Sequence, residues 1–280
     1  MSASDAISPT ALYTGQVWLR NGLSHPALGT VQGRLLFDAL QPVMRIGGAL
    51  GGPSLEDYLL ARHRAIDALL ERAIERDGVT QVLEVAAGMS PRGWRFVSRY
   101  GDRLTYLEGD LPAMAGRKRR ALAEIGSLSA HHRVLDLDGL RDDGRTGLPA
   151  VAAELDPGRP AAIITEGLLG YLGPDDMRGL WRRFAGTLER FPSGRYISDL
   201  HLGSAQDAAV RAFRVALSAF VRGRVYLHFD TAAEAEAELL ACGFSGARVL
   251  PAWQVCDRTG DDAGRDRGAV RAHILEASTG

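Results

Sequence analysis

The sequence has little cysteine, no excess charge of either sign and no long apolar run. Only Cys242 and Cys256 occur among its 280 residues, too few for a disulfide framework or a zinc site, and we assign them no chemistry. The 33 basic and 34 acidic side chains give a formal net charge of -1, which leaves no basic excess to bind a nucleic acid. No apolar stretch reaches the ~18 residues of a membrane helix, and Met1 to Leu12 does not read as a secretory signal. We therefore expect a cytoplasmic protein without a membrane partner.

Glycine is absent where one class of nucleotide site needs it. Val82 to Gly93 reads VLEVAAGMSPRG, an apolar strand that runs into a tight turn and then a helix. Ligands of open α/β sheets bind at such turns. A dinucleotide fingerprint requires three glycines at G-x-G-x-x-G spacing, because a pyrophosphate approaches the backbone closely, but Ala86 and Pro91 fill glycine positions. This argues against a dinucleotide-dependent oxidoreductase and favours a cofactor without a pyrophosphate.

The chain is long enough for one catalytic domain with decorations. Hydrophobic residues make up 46% of it, sufficient for one substantial core. We expect residues 1–76 to form an N-terminal helical cap or lid, with short helical patches such as Val31 to Leu40. The cap ends with a long helix from Leu55 to about Arg76, for which Ser54 is the N-cap. Residues 77–280 then form a Rossmann-like catalytic domain with an inserted helical segment at about 203–230.

Beyond residue 77, short apolar runs alternate with helical periods, which predicts an α/β fold with a largely parallel sheet. The predicted strands are Gln81 to Val85, Arg103 to Glu108, His132 to Leu137, Ala161 to Thr165, Arg195 to Leu200, Ala247 to Leu250 and Val270 to Leu275. The predicted helices are Arg92 to Tyr100, Pro112 to Ile125, Pro149 to Leu155, Asp175 to Arg190 and Thr231 to Cys242. Seven strands would complete the sheet.

Acidic residues follow several of these strands. Glu108 or Asp110 at the second strand could accept hydrogen bonds from the two hydroxyls of a ribose. Asp136 or Asp138 at the third could contact an adenine amino group. Glu166 directly follows the apolar fourth strand, where a charge needs a partner.

A cation completes the pattern, since Arg62 lies on the buried stripe of the long helix and is costly there unless it meets an anion. The methionyl carboxylate of S-adenosylmethionine is such an anion, and that cofactor has no pyrophosphate. We expect S-adenosylmethionine to be bound by the residues named above together with the turn after the first strand, that is, by Arg62, Glu84, Ala86, Gly88, Arg92, Glu108, Asp110, Asp136, Asp138 and Glu166.

From Tyr13 to about Leu200 the chain resembles the leucine carboxyl methyltransferase-like methyltransferases, in particular the branch typified by the tetracenomycin polyketide carboxyl methyltransferase. The resemblance rests on Thr10 to Leu23, Leu59 to Asp67, Val82 to Gly93, Tyr106 to Pro112 with Lys118, and Thr165 to Leu172. It implies the class I S-adenosylmethionine-dependent methyltransferase fold with an N-terminal helical cap. It also implies cofactor contacts at Arg62, Gly88, Asp110, Asp138 and Glu166, although the Leu-Arg that usually follows the third-strand acid is missing after both Asp136 and Asp138.

The expected reaction is O-methylation of a small molecule, with S-adenosylhomocysteine as product and no metal. If the acceptor is a carboxylate it is already ionised at neutral pH and needs a clamp, for which Tyr13, Arg20 and Arg92 are candidates. If it is a phenol a base would help, and His201 is better placed than His63 or His228. The resemblance points to an aromatic or polyketide-type acid as acceptor. A third reading is a protein that binds S-adenosylmethionine to assist another reaction without methyl transfer.

Overall fold

The computed structural model describes residues 9–49, 55–203, 226–255 and 272–280. Seven strands in these ranges form one sheet in the order β3-β2-β1-β4-β5-β7-β6. Strands β1 to β5 pair in parallel, whereas β7 is antiparallel to both β5 and β6. The expected Rossmann-like seven-stranded α/β fold is therefore confirmed. The strands are β1 Gln81–Val85, β2 Thr105–Asp110, β3 His132–Asp136, β4 Ala161–Thr165, β5 Gly194–Leu200, β6 Gly246–Pro251 and β7 His273–Thr279.

Helices cover both faces of the sheet and its carboxyl edge. In the described ranges they are α1 Pro9–Arg20, α2 Val31–Ala49, α3 Leu55–Glu75, α4 Arg92–Tyr100, α5 Pro112–Glu124, α6 Leu148–Ala152, α7 Pro174–Leu188, α8 Ala232–Ala241 and α9 Ala252–Val255. None of the described helices is long and apolar enough to cross a membrane.

The core has two layers because side chains alternate across each strand. Leu83 and Ile163 point to one face, where Trp181 and Phe184 of α7 are fully buried. Val82 and Ile164 point to the other, where α3 buries a stripe that includes Ile66, Leu69 and Leu70. Because α3 packs against the central strands, the polar residues on its buried side are carried to the carboxyl edge of the sheet.

The N-terminal region is more helical than the sequence indicated. Short patches were expected, but α1 has 12 residues and α2 has 19. Two glycines of these helices, a residue type that disfavours helix, mark close packing. A Cβ on Gly33 would collide with the carbonyl of Leu12, and one on Gly15 would lie 3.3 Å from the Cβ of Met89. The glycines allow α1 to approach both α2 and the turn after β1.

Several predicted boundaries were wrong by a few residues, and the helix predicted at Pro149 to Leu155 already ends at Ala152. Strand β2 begins at Thr105 and continues through Asp110, because Gly101–Arg103 forms a separate 3-10 turn before it. Strand β7 runs to Thr279, since it pairs along its whole length with β5. The expected N-cap at Ser54 and most of the predicted insertion at 203–230 lie outside the described residues. The division into a cap and a catalytic domain stays a prediction.

Candidate functional site

The turn after β1 adopts two left-handed backbone conformations in quick succession. Ala86 has φ 56° and Gly88 has φ 52°. The Ala87 amide donates to the carbonyl of Gly109, 3.1 Å away, and the Gly88 amide donates to Oδ2 of Asp110 at 2.7 Å. Ala86 thus adopts a backbone conformation that usually requires glycine. A Cβ on Gly88 would have Ala11 of α1 as its nearest neighbour, at 3.5 Å, so α1 covers this turn.

The two acids of β2 have different environments. Asp110, at the end of the strand, also accepts the Leu111 amide on Oδ1 at 2.8 Å. Burial, partly offset by these amide hydrogen bonds, raises the pKa of Asp110 above its ordinary value. Glu108 lies deeper and is fully buried, where it pairs with Lys118 of α5 and accepts from His132 Nε2 at 2.7 Å. The carboxylate at the sheet edge is therefore that of Asp110.

Lys118 connects this strand to the turn, because its Nζ also donates to the carbonyl of Ala87 at 3.3 Å. The side chain is buried between α5 and β2. Its two bonds tie the position of the glycine turn to that of Glu108. Lys118 is one of the residues that carry the family resemblance, and in the structure it supports the turn after β1.

Arg62 binds two anions, as its position on the buried stripe of α3 predicts. Both are protein carboxylates. Its Nε donates to Oε1 of Glu166 at 3.1 Å and its Nη1 to Oδ2 of Asp199 at 3.3 Å. Glu166 follows β4 and Asp199 lies near the end of β5, so the guanidinium lies beside the carboxyl ends of two neighbouring strands. Asp199 was missed in the sequence because it lies inside a predicted strand rather than after one.

Arg92 is fully buried beneath these groups and each of its guanidinium nitrogens binds a carboxylate. Nε donates to Asp67 at 2.7 Å, Nη1 to Glu84 at 2.7 Å and Nη2 to Glu166 at 2.6 Å. Glu84 also accepts from the hydroxyl of Tyr106 at 2.7 Å. Arg92 therefore holds Glu166 from below, Glu84 in turn holds Arg92, and both side chains are buried.

The charge on Glu166 is stabilised by its neighbours. Burial opposes its ionisation, but His63, Arg92 and Arg62 together outweigh burial and hold the pKa of Glu166 well below its ordinary 4.5. His63 Nδ1 lies 2.8 Å from Oε2 of Glu166. Glu166 is therefore a carboxylate at neutral pH.

The two acids near the third strand have different positions: Asp136 is the last residue of β3, and Asp138 lies beyond the strand. Asp136 is half-exposed and accepts from Arg119 Nη2 at 2.9 Å. Asp138 lies in the following loop, where its Oδ1 accepts the Leu140 amide at 3.1 Å and its backbone bridges to Gly147. Both lie beyond or at the carboxyl end of the strand that pairs with β2.

The three predicted catalytic residues lie in different surroundings. Tyr13 is buried in α1 against Phe37, with 5.5 Å between ring centroids, and burial followed by Glu56 raises its pKa to about 12. Arg20 is exposed at the end of α1 and lies over the same Phe37 ring, at 4.7 Å. His201 follows β5, and its Nε2 lies 2.8 Å from the hydroxyl of Tyr58. Of the three, His201 is the one beside Arg62 and Asp199.

His201 is a weak base in this environment. Burial is the main reason that its pKa falls to about 4, and Asp199 opposes that shift without cancelling it. His228, another candidate, also has a lowered pKa because it is buried, and its Nε2 is 3.0 Å from the carbonyl of Leu169. Both imidazoles are therefore neutral at pH 7.

Comparison with known proteins identifies a family and a fold. The family model described as leucine carboxyl methyltransferase matches residues 32–185. A candidate S-adenosyl-L-methionine-dependent methyltransferase of Mycolicibacterium gilvum is 36% identical over 126 residues, which are 45% of this chain and 39% of the relative. One of Mycobacterium tuberculosis is 40% identical over 106 residues, 38% of this chain and 34% of the relative. The matched segments thus span well under half of these relatives.

Solved structures agree with the fold across nearly the whole chain. A candidate methyltransferase of Thermobifida fusca superposes with a TM-score of 0.66 and 16% identity, covering 95% of this chain and 93% of that one. A DUF574 family protein of Streptomyces avermitilis gives a TM-score of 0.62 and 16% identity over 97% of both chains. Human N-acetylserotonin methyltransferase, solved in complex with SAM, gives 0.54 and 13% identity over 97% of this chain and 64% of that one.

Proposed function

The chain belongs to the leucine carboxyl methyltransferase family, and we propose that it is an S-adenosylmethionine-dependent O-methyltransferase that forms a methyl ester on a small acid. The observation that carries the proposal is the grouping of a left-handed glycine turn, a strand-end aspartate and an acid-bound arginine at one sheet edge. Gly88, Asp110 and Arg62 are those residues. Ligands of open α/β sheets bind at this edge.

The residues at the edge fit the parts of S-adenosylmethionine. A carboxylate has about four acceptor positions, and Asp110 uses two of them on the amides of Gly88 and Leu111, so two are available to ribose hydroxyls. Arg62 suits the methionyl carboxylate, and Asp138 or Asp136 suits the adenine amino group. Glu84, Glu108 and Arg92 instead support the site from within the core, while Ala86 shapes the turn through its backbone.

The electrostatics favour an acceptor that is already ionised. When bound, S-adenosylmethionine would supply an electrophilic methyl group, and its transfer to the acceptor oxygen would release S-adenosylhomocysteine. A phenol would need a base whose pKa lies near 7, but the pKa of His201 is about 4. A carboxylate acceptor requires no proton transfer. This supports ester formation over ether formation.

The proposed acceptor is an aromatic or polyketide-type acid. The support for this class is the resemblance to the tetracenomycin branch, carried by Thr10 to Leu23 and Thr165 to Leu172. The stacked rings of Tyr58 and His201, 5.2 Å apart, lie beside Arg62 and would form an aromatic wall for such an acid. The protein's part in the reaction is to align the acceptor oxygen with the methyl and to exclude water.

Cofactor binding is tested by isothermal titration with S-adenosylmethionine and S-adenosylhomocysteine. Native protein is expected to bind both with micromolar affinity. Gly88→Asp and Glu166→Ala should lose that binding, because one places a carboxylate in the turn and the other removes the partner of Arg62. Gly78→Asp is the matched control, since Gly78 also has a positive φ, 74°, but precedes β1 at the opposite end of the sheet. A folded native protein that binds neither ligand would remove the proposal.

The acceptor atom is tested with S-adenosylmethionine labelled in its methyl group and a panel of aromatic acids and phenols. A methyl ester releases labelled methanol in mild alkali, whereas a methyl ether keeps its label. Alkali-labile label on an acid is the expected result. Alkali-stable label would indicate phenolic methylation, and cofactor binding with acceptor conversion but no label transfer would indicate an assisting role.

A further inference from the structure

Asp199 is a buried carboxylate that accepts hydrogen bonds from both the Arg62 side chain and the backbone after Glu166. Its Oδ1 accepts the amide of Gly167 at 2.6 Å, and its Oδ2 accepts from Arg62 Nη1 at 3.3 Å. Its side chain is only 2% exposed. Gly167 directly follows Glu166, which is the other partner of Arg62. Asp199 therefore fixes both the backbone next to Glu166 and the guanidinium of Arg62.

The guanidinium of Arg62 is held in one orientation by acids at the carboxyl ends of β4 and β5. Glu166 binds Nε, and Asp199 binds Nη1. Gly167 lets its backbone lie close to the third nitrogen, because a Cβ there would come within 3.0 Å of Arg62 Nη2 and the φ of +68° favours glycine. A long arginine side chain otherwise has many rotamers, and each hydrogen bond that fixes it reduces the freedom it must lose when a ligand binds.

This orientation leaves donors for a further anion. A guanidinium has five N–H groups, of which Glu166 and Asp199 engage one each and the Tyr58 hydroxyl a third, so two are left for a further anion. The planar fork is suited to a carboxylate that reaches the exposed part of the Arg62 side chain, which is 9% of it. Asp199 itself lies on the inner side of Arg62, where it sets the direction of the fork.

We propose that Asp199 is a positioning residue for the amino-acid end of the cofactor, acting through Arg62 and the Gly167 turn. This inference rests on the proposed function and assigns the residue that orients its carboxylate-binding group. Loss of Asp199 should therefore weaken ligands that carry the amino-acid end and leave ligands without it unaffected.

The test compares two neutral thioethers, S-adenosylhomocysteine and 5′-methylthioadenosine, which differ in the amino-acid end. Dissociation constants are measured by isothermal titration for native protein and Asp199→Asn. We expect the variant to bind S-adenosylhomocysteine about tenfold or more weakly, with an unchanged constant for 5′-methylthioadenosine. Simple Coulomb attraction predicts the opposite sign, because removing a negative charge beside Arg62 should favour a carboxylate. Asp142→Asn is the control, since Asp142 pairs with Arg183 on the surface.

Coupling to Arg62 is tested by a double-mutant cycle with Arg62→Lys. If Asp199 acts through Arg62, Asp199→Asn should add little further loss in the Arg62→Lys background. Additive losses would overturn the proposal, and so would equal losses for both ligands, since these indicate a purely structural role. If Asp199→Asn does not fold, Gly167→Ala disturbs the same guanidinium with both acids intact and should show the same ligand selectivity. Native protein that binds neither ligand would instead overturn the proposed function.

Discussion

At the scale of single residues, the turn after β1 combines two different solutions to one backbone requirement. Gly88 adopts its left-handed conformation without a Cβ, whereas Ala86 adopts nearly the same φ with one. A left-handed L-residue costs about 1 kcal/mol. The cost is tolerated because the amides of Ala87 and Gly88 bond to β2 and fix the turn between them. The chain therefore holds strain beside its proposed cofactor site.

Replacing Ala86 by glycine should stabilise the protein. Relief of the left-handed strain outweighs the entropy that glycine adds to the unfolded chain, and the free energy of unfolding should rise by about 0.5 kcal/mol. Ala86→Val should lower it by about 1 kcal/mol or more, because a branched side chain resists this conformation. Urea unfolding measures both changes. Ala87→Gly, next to it but without a positive φ, should destabilise, and stabilisation there would contradict the explanation.

At the scale of elements, the charged cluster of Glu108, Lys118 and His132 joins β2, α5 and β3. All three side chains are buried. The carboxylate stays ionised because Lys118 and His132 outweigh the effect of burial and lower the pKa of Glu108. The cluster lies directly below the Ala87 carbonyl, so it sets the height of the turn above the sheet.

Lys118→Met should leave Glu108 buried without its main cation. We expect the free energy of unfolding to fall by about 3 kcal/mol, a typical cost of breaking a buried pair. Arg119→Met is a matched control on the same helix, since Arg119 pairs with half-exposed Asp136 and should matter by less than about 1 kcal/mol. Urea unfolding of the two variants measures the difference. Equal effects would show that the buried pair carries no special weight.

Several elements follow from sequence pattern alone, and others depend on contacts that no pattern contains. An apolar run followed by an acid predicts β4 and the position of Glu166, and the buried stripe of α3 predicts that Arg62 meets an anion. The helices α1 and α2 were underestimated, because Gly15 and Gly33 indicate irregular structure unless their neighbours are known. Glu108 and Asp110 look equivalent in sequence, and the difference between them arises from Lys118 and His132.

At the scale of the whole molecule, buried carboxylates link stability to pH. Burial opposes the ionisation of Asp67, Glu108 and Glu166. Nearby cations stabilise their charged forms more strongly, so the pKa values of all three are lowered. The unfolded chain therefore takes up protons at a higher pH than the folded one. The stabilisation is complete above the ordinary values of 3.8 and 4.5 and is lost as pH falls below them. Asp110, whose pKa is raised, acts in the opposite direction.

The free energy of unfolding should decline steeply once the pH falls below 4.5, the ordinary glutamate value. Urea unfolding from neutral pH down to about pH 3 measures the decline. Repeating the series in about 1 M salt is the control, because salt screens surface pairs but leaves the buried cluster paired. A decline that disappears in salt would assign the effect to surface charges instead.

The strand order also determines when the sheet can be completed. Among the described strands β6 pairs only with β7, and β7 fills the place between β6 and β5. Roughly 70 residues separate Leu200, the end of β5, from His273, the start of β7. Pairing β5 with β7 therefore has an entropic cost of chain closure. During synthesis β6 emerges before the strand that anchors it, and the edge of β5 stays unpaired until β7 arrives. The slowest folding step should therefore be the insertion of β7, and the intermediate before it, with an open parallel edge, is the species most exposed to aggregation.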